Sequence, residues 1–357
     1  MIIDIVKIFT ASSAAFIVGM LITPAVTHYL YKHKAWKKNN VRVATDGRSA
    51  EISQRLHNDE EKKTPRMGGI VVWGSAFITI ILIYLISKVF PTDVTTKLDF
   101  LSRDQTWIPL FTLMVGSLVG MIDDIMEVRG NSARKAGGLS SKKRLFVVGL
   151  ISLFVAWWFF AKLGVSSVGF PFIEDINIGL WFIPFFVFVT LAVYAGGVID
   201  GLDGLSGGVF AAMFTAYAGI AFYQQQINLA AFCALIVGGI LAFLWFNIPP
   251  ARFYMSETGM MGLTITLTVV AFMTDSLGGG HGVAVLPIIA LPLVVTVLSV
   301  VIQLASKKFR GGKKVFQVAP LHHNFEAVGW PAYKETMRYW IISVVVAIIG
   351  VSIALIG

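Results

Sequence analysis

Five carboxylates stand where hydrophobic runs end: Asp123 and Asp124 in "MIDD", Asp200 and Asp203 in "IDGLDG", and Glu257 in "YMSETG". Carboxylates gathered beside basic loops suit Mg²⁺ and a phosphorylated substrate. Mg²⁺ takes a few carboxylates and completes its shell with waters and phosphate oxygens, and Lys and Arg hold the remaining phosphate charge. Asp200 and Asp203 are three apart and share a face if that stretch is helical. Asp123 and Asp124 are adjacent, so on a helix they diverge and have different jobs. A further polar stretch, "KKVFQVAPLHHNFEAVGW", carries His322 and His323 with Asn324 and Glu326 after them. Adjacent histidines rarely ligate one metal ion, because their side chains diverge. An imidazole there can bond a phosphate or pass a proton near neutral pH. Glycines 201, 204, 207 and 208 let backbone approach a ligand, although glycine is also common in membrane helices.

The elements that must position these residues are apolar helices. The chain has 357 residues, 56% hydrophobic and 14% charged, against about 45–50% and about 25% in soluble proteins. Several runs approach or exceed the ~18 apolar residues that span a bilayer. The expected class is an all-α polytopic membrane protein of about ten transmembrane helices, near 8–31, 67–90, 107–123, 145–164, 177–197, 206–222, 227–246, 259–274, 283–305 and 336–356. The alternation expected of a membrane β-barrel is missing. The lone cysteine, Cys233, excludes an intrachain disulfide and a Cys-rich metal site. Pro287 and Pro292 predict a bend in the ninth span.

Ten spans put both termini on one side. Lys and Arg number 29. Ten fall in 32–66, six in 124–144 and seven in 306–338, with Arg252 in the 247–258 loop. All are alternate loops, so the positive-inside rule makes these cytoplasmic and both termini external. The five carboxylates then share the cytoplasmic face, where an Asp costs less than the ~2.5–3.5 kcal/mol of mid-bilayer. "MIIDIVK" lacks a basic n-region and a small-residue cleavage site, so the first span reads as an anchor. Residues 1–357 read as a single membrane domain without internal repeats. A transporter would place its charges near the midplane and often shows inverted repeats. The net charge of +9 lies mainly in loops facing the cytoplasm and points to the lipid bilayer, with nothing that points to nucleic acid.

Taken together, "KKTPRMGGI" (62–70), "GMIDDIMEVR" (120–129), "GLSSKKR" (138–144), "DGLDGLSGG" (200–208), "FLWFNIPPARFYMSETG" (243–259) and "APLHHNFEAVGW" (319–330) resemble the phospho-N-acetylmuramoyl-pentapeptide transferases. These belong to the polyprenyl-phosphate N-acetylhexosamine-1-phosphate transferase superfamily. The resemblance runs over nearly the whole chain. It implies Mg²⁺ dependence, a cytoplasmic-facing active site, a bacterial inner (plasma) membrane and a homodimer. It also implies the substrates UDP-N-acetylmuramoyl-pentapeptide and undecaprenyl phosphate, giving lipid I and UMP for peptidoglycan. Transfer from another UDP-sugar is the alternative within the superfamily.

By resemblance, Asp123 and Asp124 match the paired acidic motif, and Asp200 and Asp203 the "DGLDG" loop. Asn247 matches a polar nucleotide-site position, Tyr254 a phenylalanine that stacks on uracil, and His322 and His323 the start of the histidine motif. Lys63 lies in the basic stretch that approaches the nucleotide sugar. Five positions depart from the family pattern. Glu257 stands in "MSE" for the metal-binding aspartate of "MGD". Tyr194 and Gly197 replace two asparagines, Arg144 replaces a lysine, and Asn324 replaces a third histidine. The mechanism implied has the lipid phosphate attacking the β-phosphorus. Glu257 would hold Mg²⁺ with Asp124 or Asp123 helping, and the other of that pair would orient or deprotonate the lipid phosphate. His322 would contact phosphate. A covalent aspartyl-phosphate on Asp123 is the alternative to direct attack.

Overall fold

The computed structural model describes residues 1–36, 63–102, 104–130, 138–275 and 277–357. The basic residues Lys37, Lys38, Arg42, Arg48, Arg55, Lys62, Arg134 and Lys135 lie outside the described residues. The described chain is helical apart from one short hairpin. Its elements are α1 (Ile2–Lys32), α2 (Ile70–Val89), α3 (Asp93–Leu98), α4 (Trp107–Arg129) and α5 (Ser141–Leu163). Next come β1 (Ser167–Val168), β2 (Ile176–Asn177), α6 (Phe182–Ala195), α7 (Leu205–Tyr223), α8 (Ile227–Asn247) and α9 (Ser256–Met273). The last are α10 (Gly282–Ile289), α11 (Leu291–Phe309), α12 (Leu321–Ala327) and α13 (Ala332–Ile356). Ten stretches among the described residues are long and apolar enough to cross a membrane.

The ninth expected span, 283–305, is two helices. α10 ends at Ile289, Ala290 stands between the two helices, and α11 begins at Leu291 with Pro292 in its first turn. Proline is favoured there because the first-turn N–H has no helical acceptor to lose. The bend expected from the prolines is thus a break.

α9 is the axis of the bundle. Every residue from Thr258 to Met273 is buried. Two of its threonines bond within the helix, Thr264 Oγ1 donating to the Met260 carbonyl at 2.7 Å and Thr268 Oγ1 to the Thr264 carbonyl at 3.2 Å, while the Thr266 hydroxyl meets that of Thr112 on α4 at 3.2 Å. α9 lies along α4, where "GSLVG" places Gly116 and Gly120 one turn apart on one face. A Cβ at Gly116 would come within 2.9 Å of Gly262 Cα, and one at Gly120 would overlap the Glu257 carbonyl. Small residues at this spacing let two helix backbones approach closely. Phe159, Phe182 and Phe186 close the other end of α9 around Phe272, with the Phe186 and Phe272 rings 4.3 Å apart.

The two poles of the bundle differ. At one, Asp275 accepts the Gly169 N–H at 2.8 Å and the Val283 N–H at 3.0 Å, tying the β1–β2 hairpin region to the α9–α10 connection. Gly357 packs on Pro171 at this pole. The opposite pole holds the carboxylates. There Tyr31, in the last turn of α1, donates to the Arg252 carbonyl at 3.1 Å. Thr336, in the first turn of α13, donates to the Asp203 carbonyl at 3.1 Å. Both chain ends therefore lie away from the carboxylates.

Candidate active site

Four elements converge at the carboxylate pole: the end of α4, the start of α5, the end of α6 and the start of α9. The close α4–α9 approach at Gly120 sets the end of α4 beside the first turn of α9. Asp123 and Asp124 are both buried and point to different partners, as adjacent helical residues must. Asp124 Oδ2 accepts the Thr258 N–H at 2.9 Å and the Thr258 hydroxyl at 2.6 Å. A carboxylate at a helix start is favoured by the free N–H groups and the dipole there. Asp124 Oδ1 accepts Arg66 Nε at 3.2 Å, and Arg66 Nη2 lies 3.3 Å from Glu127 Oε2.

Asp123 turns toward α5. Its Oδ1 accepts the Leu139 N–H, and its Oδ2 lies 2.7 Å from Arg144 Nη2. The other terminal nitrogen of Arg144, Nη1, donates to Glu257 Oε1 at 2.7 Å. Glu257 Oε2 accepts the Tyr194 hydroxyl at 3.1 Å. Three of the positions that depart from the family pattern (Arg144, Tyr194 and Glu257) therefore meet in one network. Two guanidinium forks each bridge two carboxylates: Arg66 joins Asp124 to Glu127, and Arg144 joins Asp123 to Glu257. Burial works against the charge of Arg66, but the carboxylates of Asp124 and Glu127 outweigh it and push its pKa above the ordinary value.

The "DGLDG" stretch is not helical. Residues Gly196–Ile199 form a 3₁₀ turn, and the chain then turns through Gly204 at φ +75° before α7. Asp200 and Asp203 consequently do not share a helix face. Asp200 Oδ1 accepts Ser206 Oγ at 2.6 Å and its Oδ2 accepts the Ser256 N–H at 2.9 Å. Burial pushes its carboxyl above the usual range, against the opposing pull of those two bonds. Asp203 Oδ2 accepts the Ala251 N–H at 2.9 Å. Asn247 is buried, its Oδ1 accepting the Gly204 N–H and its Nδ2 donating to the Phe253 carbonyl. These three side chains hold the loops around the site. Ser256 adopts φ +57°, the left-handed region, just before Glu257 enters α9.

The remaining expected residues also gather here, with one exception. Tyr254 is half-buried, and its backbone pairs with the segment before α2: its N–H donates to the Pro65 carbonyl at 2.9 Å and its carbonyl accepts the Gly68 N–H at 2.8 Å. This pairing delivers Arg66 to Asp124. Lys63, three residues earlier, is exposed. His322 is buried on α12, against Gly201, where a Cβ would overlap its Nε2. The His323 ring lies 4.3 Å from that of His322, with His323 Nδ1 2.7 Å from Glu326 Oε2. Asn324 Oδ1 accepts the Gln317 N–H at 2.9 Å and so holds its own loop.

Arg66, Glu127 and Thr258 were missed by sequence reasoning. The signal for Glu127 was present, four residues after Asp123 and three after Asp124 on one helix face. Arg66 and Thr258 gave none, because their partners are remote in sequence.

The donor set suits a hard divalent cation in type. Four carboxylates (Asp123, Asp124, Glu127 and Glu257) gather around two guanidiniums among the described residues. Among the described residues, no three His, Cys, Asp or Glu side chains close around one point as a metal site. Carboxylate oxygens are the donors that Mg²⁺ takes, one or two at a time.

Residues 106–275, from α4 through α9, match the model of glycosyl transferase family 4. A phospho-N-acetylmuramoyl-pentapeptide-transferase of Chloroflexus aggregans is 30% identical over 366 residues, 99% of this chain and 91% of the relative. One of Clostridium perfringens is 32% identical over 347 residues, 96% and 98% of the two chains. One of Listeria innocua is 30% identical over 347 residues, 96% and 97%. With identity at this level along nearly its full length, and with the site residues spread over that whole length, the chain belongs to the phospho-N-acetylmuramoyl-pentapeptide transferase family.

Proposed function

We propose that the protein transfers phospho-N-acetylmuramoyl-pentapeptide from its UDP-linked form to undecaprenyl phosphate, giving lipid I and UMP. The observation that carries this reading is the clustering of Asp123, Asp124, Glu127 and Glu257 with Arg66 and Arg144 at one pole of an apolar bundle. A lipid-borne phosphate and a soluble nucleotide meet naturally at such an edge. The same placement disfavours a transporter, whose charges sit near the midplane. The positive-inside distribution supports a cytoplasmic site and external termini, in a bacterial plasma membrane. The chain acts as one integral membrane domain, and the family resemblance adds a homodimer.

The lipid phosphate has a second pKa of about 6 and is largely dianionic at pH 7. A strong base is therefore not required, and positioning with charge stabilisation dominates phosphoryl transfer. When bound, Mg²⁺ neutralises charge on the diphosphate; Glu257 and Asp123 are the carboxylates that would hold it. Asp124 is committed to Thr258 and Arg66, so its part is to fix Arg66 beside the phosphates. Asp123 orients the attacking phosphate. His322 contacts phosphate over the Gly201 turn, and Tyr254 offers a ring for uracil. Asp200, Asp203 and Asn247 keep the surrounding loops in place.

The test is UMP release by purified protein with undecaprenyl phosphate and Mg²⁺. UDP-N-acetylmuramoyl-pentapeptide is run against UDP-N-acetylglucosamine. Turnover of the first alone is expected. Turnover of the second alone overturns the substrate assignment, and turnover of neither, by folded protein, overturns the activity.

A further inference from the structure

We propose that Arg144 is a displaceable counter-ion. It neutralises Asp123 and Glu257 in the substrate-free protein, and its guanidinium moves to the diphosphate when the nucleotide sugar binds. Asp123 and Glu257 are thereby released to a divalent cation, so that cation and nucleotide bind together. This rests on the reading of the site as a nucleotide-sugar site.

The geometry is that of a clamp. Nη1 and Nη2 of one guanidinium lie 2.7 Å from oxygens of two different carboxylates. A cation bridging those oxygens meets the guanidinium already there. The other two carboxylates of the cluster are differently placed. Asp124 is pinned by both polar groups of Thr258, and it shares Arg66 with Glu127. Arg144 is thus the positive group whose departure opens a carboxylate pair.

Two donors at the site point to what would receive it. Arg144 Nε is buried and has no hydrogen-bond partner among the described residues. Ser256 Oγ, on the residue preceding Glu257, is also buried and lacks a partner. A buried unmade hydrogen bond is costly, so such groups call for an explanation. Guanidinium presents five donors in a fork that matches phosphate oxygens. A nucleotide-sugar diphosphate carries two negative charges, and so does the Asp123–Glu257 pair. When Arg144 changes from one to the other, it keeps a doubly charged partner, and the carboxylates it leaves have a divalent one. Tyr194 steadies Glu257 through this change by holding Oε2.

The consequence is reciprocal coupling: nucleotide raises affinity for the cation, and cation raises affinity for nucleotide by the same factor. Mn²⁺ binding to the purified full-length protein, followed by its electron paramagnetic resonance signal, tests this without turnover. For the unsubstituted protein, UDP should tighten Mn²⁺ binding at least tenfold. In Arg144→Gln, Mn²⁺ should bind at least tenfold more tightly without UDP, and UDP should then add less than threefold. Tyr194→Phe, which leaves the clamp intact, should keep most of the UDP effect; its loss there counts against Arg144 as the coupling element. Unchanged or weaker Mn²⁺ binding by folded Arg144→Gln without UDP overturns the proposal, since Arg144 then does not shield the pair. The UDP-free arm is independent of substrate identity. If it succeeds while UDP-N-acetylmuramoyl-pentapeptide is not turned over, the counter-ion role stands and the assigned reaction falls.

Discussion

Gly120 on α4 faces the backbone carbonyl of Glu257 with no room for a Cβ between them. That contact fixes the height at which Asp123 and Asp124 meet the first turn of α9. Gly120→Ala should therefore force the two helices apart. Overpacking costs about 1–3 kcal/mol, and here the displaced atoms belong to the proposed site. The expected outcome is a lower apparent Tm in detergent together with at least a tenfold loss of UMP release.

Asp124→Asn separates charge from shape. Asn keeps an acceptor for Thr258 but takes from Arg66 the carboxylate that accepts its Nε, leaving Glu127 and Asp200 as counter-charge. Breaking one side of a buried ion pair costs about 3–5 kcal/mol, so turnover should fall at least a hundredfold. Thr258→Val removes only the hydroxyl bond and keeps the N–H bond. One bond to a charged group is worth about 1.5–3 kcal/mol, so a loss on the order of tenfold is expected. Comparable rates for the two variants would show that the charge of Asp124 does not matter.

Tyr194→Phe deletes the 3.1 Å bond to Glu257 Oε2 and little else. A loss of about 1.5–3 kcal/mol, seen as a drop of roughly tenfold or more in kcat/KM, should follow. Full activity would mean that Glu257 is held by Arg144 alone.

Ser256 sits at φ +57°, where a residue with a Cβ is strained by roughly 1–2 kcal/mol. Ser256→Gly removes that strain and should raise the apparent Tm. The Ser256 N–H still reaches Asp200 in this variant, so a fall in Tm would show that the hydroxyl supports the fold.

Burial holds the Asp200 carboxyl above its ordinary value of 3.8. A group raised in this way contributes stability that is fully present below the unfolded value and lost as pH rises through the folded one. The apparent Tm of unsubstituted protein should therefore gain on that of Asp200→Asn as pH falls from neutral toward 4. Thermal melts across that range check the sign.

Most of the bundle was legible because a bilayer demands long apolar runs. The failures came where a remote partner decides the structure. The third span was expected to stop at Asp123, yet α4 continues to Arg129. Its polar last turns are stabilised by Arg66 and Arg144, neither near in sequence. α9 starts at Ser256 rather than 259 because Glu257, polar and apparently a loop residue, belongs in a first helical turn. The ninth span hid its break because both halves are apolar, and only the prolines hinted at it. The carboxylates were found from their placement at span ends. Their wiring to Arg66, Arg144, Tyr194 and Thr258 was invisible, since no pattern within one segment encodes a contact between segments.

The enclosure of α9 has a consequence for biogenesis. A helix that never touches lipid is free of the composition that lipid imposes, and α9 has the lowest mean hydropathy of the ten spans. The property that lets it carry threonines and present Glu257 also makes it the segment least able to partition into a bilayer unaided. Its insertion should depend on α4 being already in place to receive it, which ties the order of assembly to the same pair of glycines that shapes the carboxylate pole.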